Sequence, residues 1–449
     1  MHKISMFGAG YVGLVTATCF AELGNRVLCY DSDSAKVELL QRGELPIFEP
    51  GLAEMVARNT KSGRLLFLKD EQQAIVQSDI IFIAVGTPMA DGGHADLTDV
   101  REAAIAIARH LNGKKIIVNK STVPVQTGDL VATLIDEYRT GQHVVAVVSN
   151  PEFVREGSAI ADFMNPDRIV LGVPDEATAE TMRGLYAPLG VPILLVSVRT
   201  AEMIKYTANA FLATKISFIN EIANLCESVG ADVKDVVAGA GSDHRIGTAF
   251  MQSGLGFGGS CFPKDVMALA KLAESKGVHP RVLHSVLATN AAQIEVYGDA
   301  IASHLGDLTD ARLALLGLAF KPNTDDVRES PAIALAEELI AKGARLAVHD
   351  PVAMDNARPI LGNRVRWCGD PYEAARGARG LVVATDWNEY KELDFEALGG
   401  LMSDRLVFDC RNIYESRELA RGGFQVVAIG RGDQIPQKRI SQQHPFEKV

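Results

Sequence analysis

The sequence predicts an α/β protein: two doubly wound, parallel-sheet domains joined by a long central helix. Three observations predict it. Short apolar runs alternate with amphipathic stretches through the first 200 residues, the signature of a sheet covered by helices on both faces. A long helical pattern without glycine or proline then follows, and near residue 311 the alternation resumes.

The elements follow in order. "KISMFG", "RVLCYD", "IIFIAVG", "KIIVNKST", "HVVAVVSN", "RIVLGV" and "PILLVS" each read as a buried strand. Between several of them lie amphipathic stretches such as "LTDVREAAIAIARHL" (97–111). From about 200 the pattern changes: Ile204, Ala208, Phe211, Leu212, Ile216, Ile219, Ala223 and Cys226 recur at helical spacing, and Gly230 supplies the C-terminal cap. More helix is expected after Lys264, up to Gly306. "ARLALLGLAF", "RLAVHDP", "GLVVATD" and "RLVFDC" then read as strands of a second sheet, and the stretch from 433 to 449 as a loose polar tail.

Composition narrows the function. A chain of 449 residues with 47% hydrophobic and 22% charged residues is long enough for two or three full cores. Its net charge of −11 argues against a general nucleic-acid binder, which needs a basic surface, but not against an anionic small ligand. The six cysteines (19, 29, 226, 261, 368, 410) show no C-x-x-C pair and no zinc-like spacing, so no metal site is expected and they read as free thiols of a reducing compartment. The N-terminus superficially imitates a signal peptide, but patterned glycines break its apolar run. No uninterrupted stretch of about 18 apolar residues is present, so no membrane span is expected and the cytoplasm is the expected location.

"FGAGYVG" follows the first strand and opens the first helix, placing Gly8, Gly10, Val12 and Gly13 in a G-x-G-x-x-G turn. Its glycines allow a tight turn, approach to a pyrophosphate and close helix–sheet packing. "RVLCYD" ends in Asp31, where a ribose-binding acid belongs, and a carboxylate there favours NAD over NADP. The first domain is thus expected to be Rossmann-like and to bind NAD. Thr87 in "AVGTP" and Thr122 in "NKSTVP" lie beyond strand ends, where ligands of open parallel sheets bind, though each threonine equally suits a helix cap. Glu152 and Glu156 in "SNPEFVREG" offer paired carboxylates for proton transfer, or simply a solvated acidic loop. Lys205 and Asn209, four residues apart, share one helix face.

The glycine-rich segment "GLGFGGSCFPKD" (254–265) carries Cys261. Proline and the apolar pattern of Val266, Leu269, Ala270 and Leu272 start a helix there, with Lys264 and Asp265 in its first turn. A helix N-terminus and neighbouring cations lower a thiol's pKa, so Cys261 is expected to be an activated nucleophile in a glycine-walled pocket. A dinucleotide fold with such a cysteine suggests oxidation through a thioester.

"GAGYVG", "VGTP", "STVP", "NPEF-x-x-EG", "KYTANAFLATKISFINEI", "GFGGSCFPKD" and "LAFKPNTDDVRESP" together resemble the UDP-glucose/GDP-mannose dehydrogenase family, from residue 2 to roughly 430. The resemblance implies a four-electron oxidation of UDP-glucose to UDP-glucuronate, with two NAD and one water, through a cysteine thiohemiacetal and thioester. It implies that Cys261 is the nucleophile, that Lys205 with Asn209 stabilises the oxyanion, and that Asp265, Thr122 and a water take up the first proton. Glu152 would serve as acid and base, including in thioester hydrolysis. Lys36, Thr87, Glu156, Lys264 and Arg328 match cofactor-side positions. The nucleotide sugar would meet Glu152, Phe153, Val154 and Arg155, with Lys205 and Asn209. The run Phe250, Met251, Gln252, Ser253 and Gly254 also matches it, as do Gly258, Lys321 and Arg411. Arg245 in "RIG" would contact the sugar across a two-fold dimer.

The implied organisation is an NAD-binding domain over 1–200, a helical and dimerisation region over 201–305, a UDP-binding α/β domain over 306–432 and the tail. The GDP-mannose branch of the same family is the nearest alternative; it tends to carry histidine and leucine where Leu212 and Phe262 stand here. A catalytically silent sensor would be expected to lack Cys261, Lys205 or Asp265, and all three are present. An ordinary hydroxyacid dehydrogenase would use a histidine, and the ten histidines show no such placement.

Overall fold

The computed structural model describes residues 2–90 and 92–432, so the polar tail expected over 433–449 lies outside the described residues. The chain divides into two compact units. One takes the chain up to Phe211 together with Ser260–Leu283 and Asn323–Asp325. The other takes Leu212–Gly259, His284–Pro322 and the chain from Asp326 onward.

The first unit is built on eight strands: β1 (Lys3–Phe7), β2 (Arg26–Tyr30), β3 (Leu65–Leu68), β4 (Ile80–Ile83), β5 (Lys115–Asn119), β6 (Val145–Ser149), β7 (Ile169–Gly172) and β8 (Ile193–Val196). Their order is β3-β2-β1-β4-β5-β6-β7-β8, so the strand order reverses between β1 and β4. Alternate residues enter separate cores on the two faces. Ile80, Phe82, Ile116 and Val118 pack on one side, and Ile81, Ile83 and Ile117 on the other. That two-sided burial is why these strands read as continuous apolar runs.

The sheet departs from the expected uniform parallel arrangement at one place. β7 meets β6 antiparallel, with Ser149 opposite Gly172, and β8 then runs parallel to β7. The short helix Ala159–Met164 between β6 and β7 replaces a full crossover, so the chain returns in the opposite direction.

The second unit carries β9 (Arg312–Leu316), β10 (Arg345–His349), β11 (Arg366–Trp367), β12 (Gly380–Val383), β13 (Leu406–Asp409) and β14 (Gln425–Val427), in the order β11-β10-β9-β12-β13-β14. All its neighbours are parallel. The order repeats the first six strands of the other sheet, and so does a local detail. Gly8 donates to Tyr30 O and Ala9 to Asp31; Gly317 donates to His349 O and Leu318 to Asp350, each backbone nitrogen 2.7–2.8 Å from its acceptor. In the second unit, however, Asp350 is fully buried and also accepts from Trp387 Nε1 (3.2 Å). The acid that faces a ribose in a dinucleotide fold is here sealed into the core.

The long helix runs over Val198–Val229 and ends at Gly230, whose φ of +75° favours a residue without a Cβ. The helices Phe262–Ser275 and Arg281–Leu305 follow. Among the described residues no helix is long and apolar enough to cross a membrane.

Candidate active site

The dinucleotide end of the first unit is shaped by its glycines. A Cβ on Gly8 would lie 2.5 Å from Ala84 O, and one on Gly13 would lie 1.9 Å from Gly8 O, so both positions exclude side chains. Gly10 has no atom near its would-be Cβ, which leaves its outer side open. The helix Tyr11–Glu22 begins there with no side-chain cap and no acid in its first turn, so no side chain competes for its leading N–H groups at the cap. Asp31 accepts from Ala9 N (2.7 Å) and from Lys36 Nζ (3.0 Å). Uncapped donors, an open glycine and a carboxylate at the end of β2 fit an NAD molecule, with Lys36 balancing the acid. At the carboxyl ends of β4 and β5, Thr87 Oγ1 donates to Thr122 O (2.9 Å), which brings the two threonines side by side. Glu156 accepts from Thr324 Oγ1 (3.0 Å).

A buried charge cluster lies in the same unit. Lys205 Nζ and Glu152 Oε1 are 2.9 Å apart, each side chain 5% exposed. One turn further along the long helix, Asn209 Nδ2 donates to Asp265 Oδ2 (2.6 Å), and Lys264 Nζ reaches Asp265 Oδ1 (2.7 Å). The i, i+4 spacing of Lys205 and Asn209 therefore aims both at one place. Burial works against the Lys205 ammonium, but the Glu152, Cys261 and Asp265 charges outweigh it and hold its pKa above the ordinary value. Phe153 lies under the Arg168 guanidinium (3.7 Å) and 5.3 Å from Lys205 Nζ. Val154 N donates to Glu152 Oε2 (2.7 Å) and fixes that carboxylate's direction.

Cys261 stands at the N-cap of the helix Phe262–Ser275 with Pro263 in the first turn, partly open, and with Ser260 Oγ 3.6 Å from its sulfur. Its expected activation in the free chain is corrected by the structure. Burial first, then the Glu152 and Asp265 charges, push the thiol up to about 11 against the opposing pull of Lys205. Lys264 is paired with Asp265 (2.7 Å) rather than with the sulfur.

The second unit assembles most of the residues matched to the nucleotide sugar. Phe250 takes a left-handed φ of +61°, Met251 is buried, and Gln252 is exposed. Ser253 Oγ accepts from Asn412 Nδ2 (2.9 Å), and Gly254 N donates to Asn220 Oδ1 (2.8 Å). Arg411 donates to Ala384 O (2.7 Å) and Phe320 O (3.1 Å), while Lys321 Nζ sits 5.5 Å from the Phe320 ring. Gly258 is wedged so that a Cβ would fall 2.1 Å from Glu329 O.

Three arginines are each forked on a nearby aspartate. Arg155 is forked on Asp162, Arg245 on Asp243 and Arg328 on Asp326, with side chains 60%, 77% and 62% exposed.

Several participants escape the sequence reading. Glu49 is buried and accepts from Tyr11 Oη, Gly157 N (2.7 Å) and Ala159 N (2.7 Å), which ties the loop after Glu156 to the first helix. Lys120, Asn150 and Tyr186 form a buried network. The available signal was the lysine of "NKSTVP", a charge at the end of a strand whose residues are all buried.

Family models match in sequence along the chain. Residues 2–190 match the NAD binding domain, 199–292 the central domain and 314–416 the UDP binding domain of the UDP-glucose/GDP-mannose dehydrogenase family. The UDP-glucose 6-dehydrogenase of Rhizobium meliloti (strain 1021) is 50% identical, covering 96% of this chain and 100% of that protein. UDP-glucose 6-dehydrogenase TuaD of Bacillus subtilis (strain 168) is 47% identical, with 96% and 94% covered. The solved structure of a UDP-glucose dehydrogenase from Pyrobaculum islandicum superposes with a TM-score of 0.89 at 43% identity, covering 93% of this chain and 96% of that one. With three successive portions matched and near-complete coverage of both relatives, the chain belongs to the UDP-glucose/GDP-mannose dehydrogenase family.

Proposed function

We propose that the chain is a UDP-glucose 6-dehydrogenase, which oxidises the 6-hydroxymethyl group of UDP-glucose to the carboxylate of UDP-glucuronate. The observation that carries this reading is a partly open cysteine beside a buried Lys–Glu pair. An ordinary alcohol oxidation ends at the carbonyl and needs no nucleophile. A second hydride transfer needs a nucleophile added to the aldehyde carbon, and a thiol can be that nucleophile. NAD, when bound, supplies the hydride acceptor for both oxidations.

In the first oxidation the substrate hydroxyl loses its proton toward Asp265, which Asn209 and Lys264 hold in place, with Thr122 and a water in support. The Lys205 ammonium meets the negative charge that develops on the substrate oxygen. Cys261 Sγ then adds to the aldehyde carbon. The S–C bond forms as the carbonyl π bond breaks, and the thiol proton ends on the oxygen. The thiohemiacetal carbon gives up hydride and its hydroxyl gives up a proton, leaving a thioester. Glu152 takes a proton from water, whose oxygen attacks the thioester carbon; the C–S bond breaks and the sulfur recovers a proton.

The nucleotide-sugar contacts are assigned to Ser253, Gly254, Gly258, Lys321 and Arg411, supported by their convergence in the second unit. A two-fold dimer belongs to the same proposal. It is supported by Phe211, Phe218 and Leu225, seven residues apart on the long helix and 64%, 55% and 56% exposed. A cytoplasmic setting is supported by six free cysteines.

The test is to count NADH per nucleotide sugar with UDP-glucose, UDP-galactose and GDP-mannose. Two NADH per UDP-glucose and no turnover of the other two are expected. One NADH per sugar, or preferred turnover of GDP-mannose, overturns the reading.

A further inference from the structure

Buried charges persist only when they are compensated. Around Cys261 the contacts pair off: Glu152 with Lys205 at 2.9 Å, Asp265 with Lys264 at 2.7 Å. Two carboxylates and two ammoniums cancel. Once Cys261 loses its proton, a third negative charge appears and neither pair has a cation to spare for it. Lys205 must also turn toward a substrate oxygen, which would leave Glu152 alone.

Among the described residues, Lys120 is a buried cation that neither pair employs. It follows β5 directly, is 5% exposed, and makes a single, long hydrogen bond among the described residues, to Asn150 Oδ1 at 3.3 Å. An ammonium has three donors, so most of its capacity is free. Asn150 is rigidly held: its N–H donates to Asn119 O (2.9 Å), its Nδ2 to Val170 O (3.0 Å), and its Oδ1 accepts from the buried Tyr186 hydroxyl. The charges that act on Lys120 are those of Glu152, from the loop after β6, and Lys205, from the long helix. Cys261, Lys264 and Asp265 of the helix Phe262–Ser275 complete the cluster through those two.

We propose that Lys120 is a positioning residue that takes over as counterion of Glu152, releasing Lys205 to the reacting oxygen and allowing Cys261 to act as a thiolate. Lys120 forms and breaks no bond to carbon; it changes only the charge that Glu152 presents. The idea rests on Cys261 being the nucleophile. Burial lowers the Lys120 pKa to about 8, while Glu152 resists that fall. The lysine is therefore largely charged at neutral pH, and compensation fades as pH rises through 8.

The test reads Cys261 directly, in the free full-length enzyme. Iodoacetamide alkylation of Cys261 is followed by mass spectrometry across pH, with Cys261→Ala identifying the site. Lys120→Met is expected to slow alkylation at pH 8 by about tenfold, one pKa unit of lost compensation. Lys120→Arg should return it to within about threefold. In turnover, Lys120→Met should lower kcat while KM for UDP-glucose stays within about twofold. A wild-type alkylation profile in Lys120→Met overturns the proposal, as does failure of a folded Lys120→Arg to restore the rate. Should Lys120→Met not fold by thermal melting, Asn150→Ala removes the anchor instead. Slower alkylation in that variant supports the proposal, and a wild-type rate overturns it. Alkylation needs no substrate, so its outcome is separable from the NADH count that tests the functional reading.

Discussion

The Cys261 thiol holds its proton in the free chain, because burial, with the Glu152 charge next in weight, raises its pKa to about 11. The neighbouring ammoniums must therefore favour loss of that proton when the sulfur attacks, the Lys205 charge directly and the Lys120 charge through Glu152. Replacing the sulfur isolates that step. Cys261→Ser is expected to fold and bind NAD as the wild type does, since the side chain keeps its size and the dinucleotide end is untouched. Release of UDP-glucuronate should fall by at least roughly 10³-fold, the scale of losing a catalytic nucleophile. Steady-state assay of the product, with NAD affinity measured alongside, checks both halves; full turnover by the serine variant would sink the covalent route. The residue scale is also where the sequence was least legible. "GFGGSCFPKD" announced a nucleophile by its residue types, but the direction of the Cys261 pKa depends on Glu152, more than 100 positions away in the chain. Lys120 and Glu49 stayed hidden for the same reason. Each is an isolated charge in sequence, and only the fold supplies Asn150 and the Gly157 backbone as partners.

Among the elements, long and strongly periodic segments were readable and short ones were not. The helix Val198–Val229 and the runs around Ile80–Ile83 and Lys115–Asn119 carry enough apolar residues to declare their period. β11 and β14, with two and three residues, do not; β3 (LLFL) is as apolar and as short as β4 but alternates in burial, and all three are edge strands of their sheets. The antiparallel join of β6 and β7 was equally invisible, since it rests on the shortness of a connection rather than on any residue type. Glycine positions test the elements most sharply. A Cβ on Gly258 would collide with Glu329 O at 2.1 Å and Pro331 Cδ at 2.7 Å, both of them parts of the backbone or ring that cannot rotate away. Gly258→Ala should then displace the 250–258 segment at a cost of about 1–3 kcal/mol. We expect KM for UDP-glucose to rise about tenfold with NAD binding unchanged, because Gly8, Gly10 and Gly13 lie elsewhere. Isothermal titration with each ligand checks this, and unaltered UDP-glucose affinity would show that the segment does not hold the sugar.

For the whole molecule, the open question is what a second copy contributes. Phe211, Phe218 and Leu225 give the long helix an exposed apolar stripe that one copy does not cover. Arg245 lies between the helix Val233–Gly241 and the 250–258 segment, with Gly247 at a φ of +66° beside it and Ile246 48% exposed. Among the described residues the guanidinium's partner is Asp243, and its side chain is 77% exposed. An exposed ion pair of this kind adds little stability, so the arm is free to exchange Asp243 for another anion. A dimer would let it reach the partner's nucleotide sugar. Subunit complementation decides the matter. Cys261→Ala and Arg245→Ala are each expected to be inactive alone. In a mixed dimer one site lacks both residues, but the other joins the native cysteine of one chain to the native arginine of its partner. Random exchange makes half the dimers mixed, with one working site in two, so roughly a quarter of wild-type activity should return on mixing. Native mass spectrometry reports whether subunits have exchanged. If mixed dimers form and activity stays absent, Arg245 serves its own chain and the shared site is wrong.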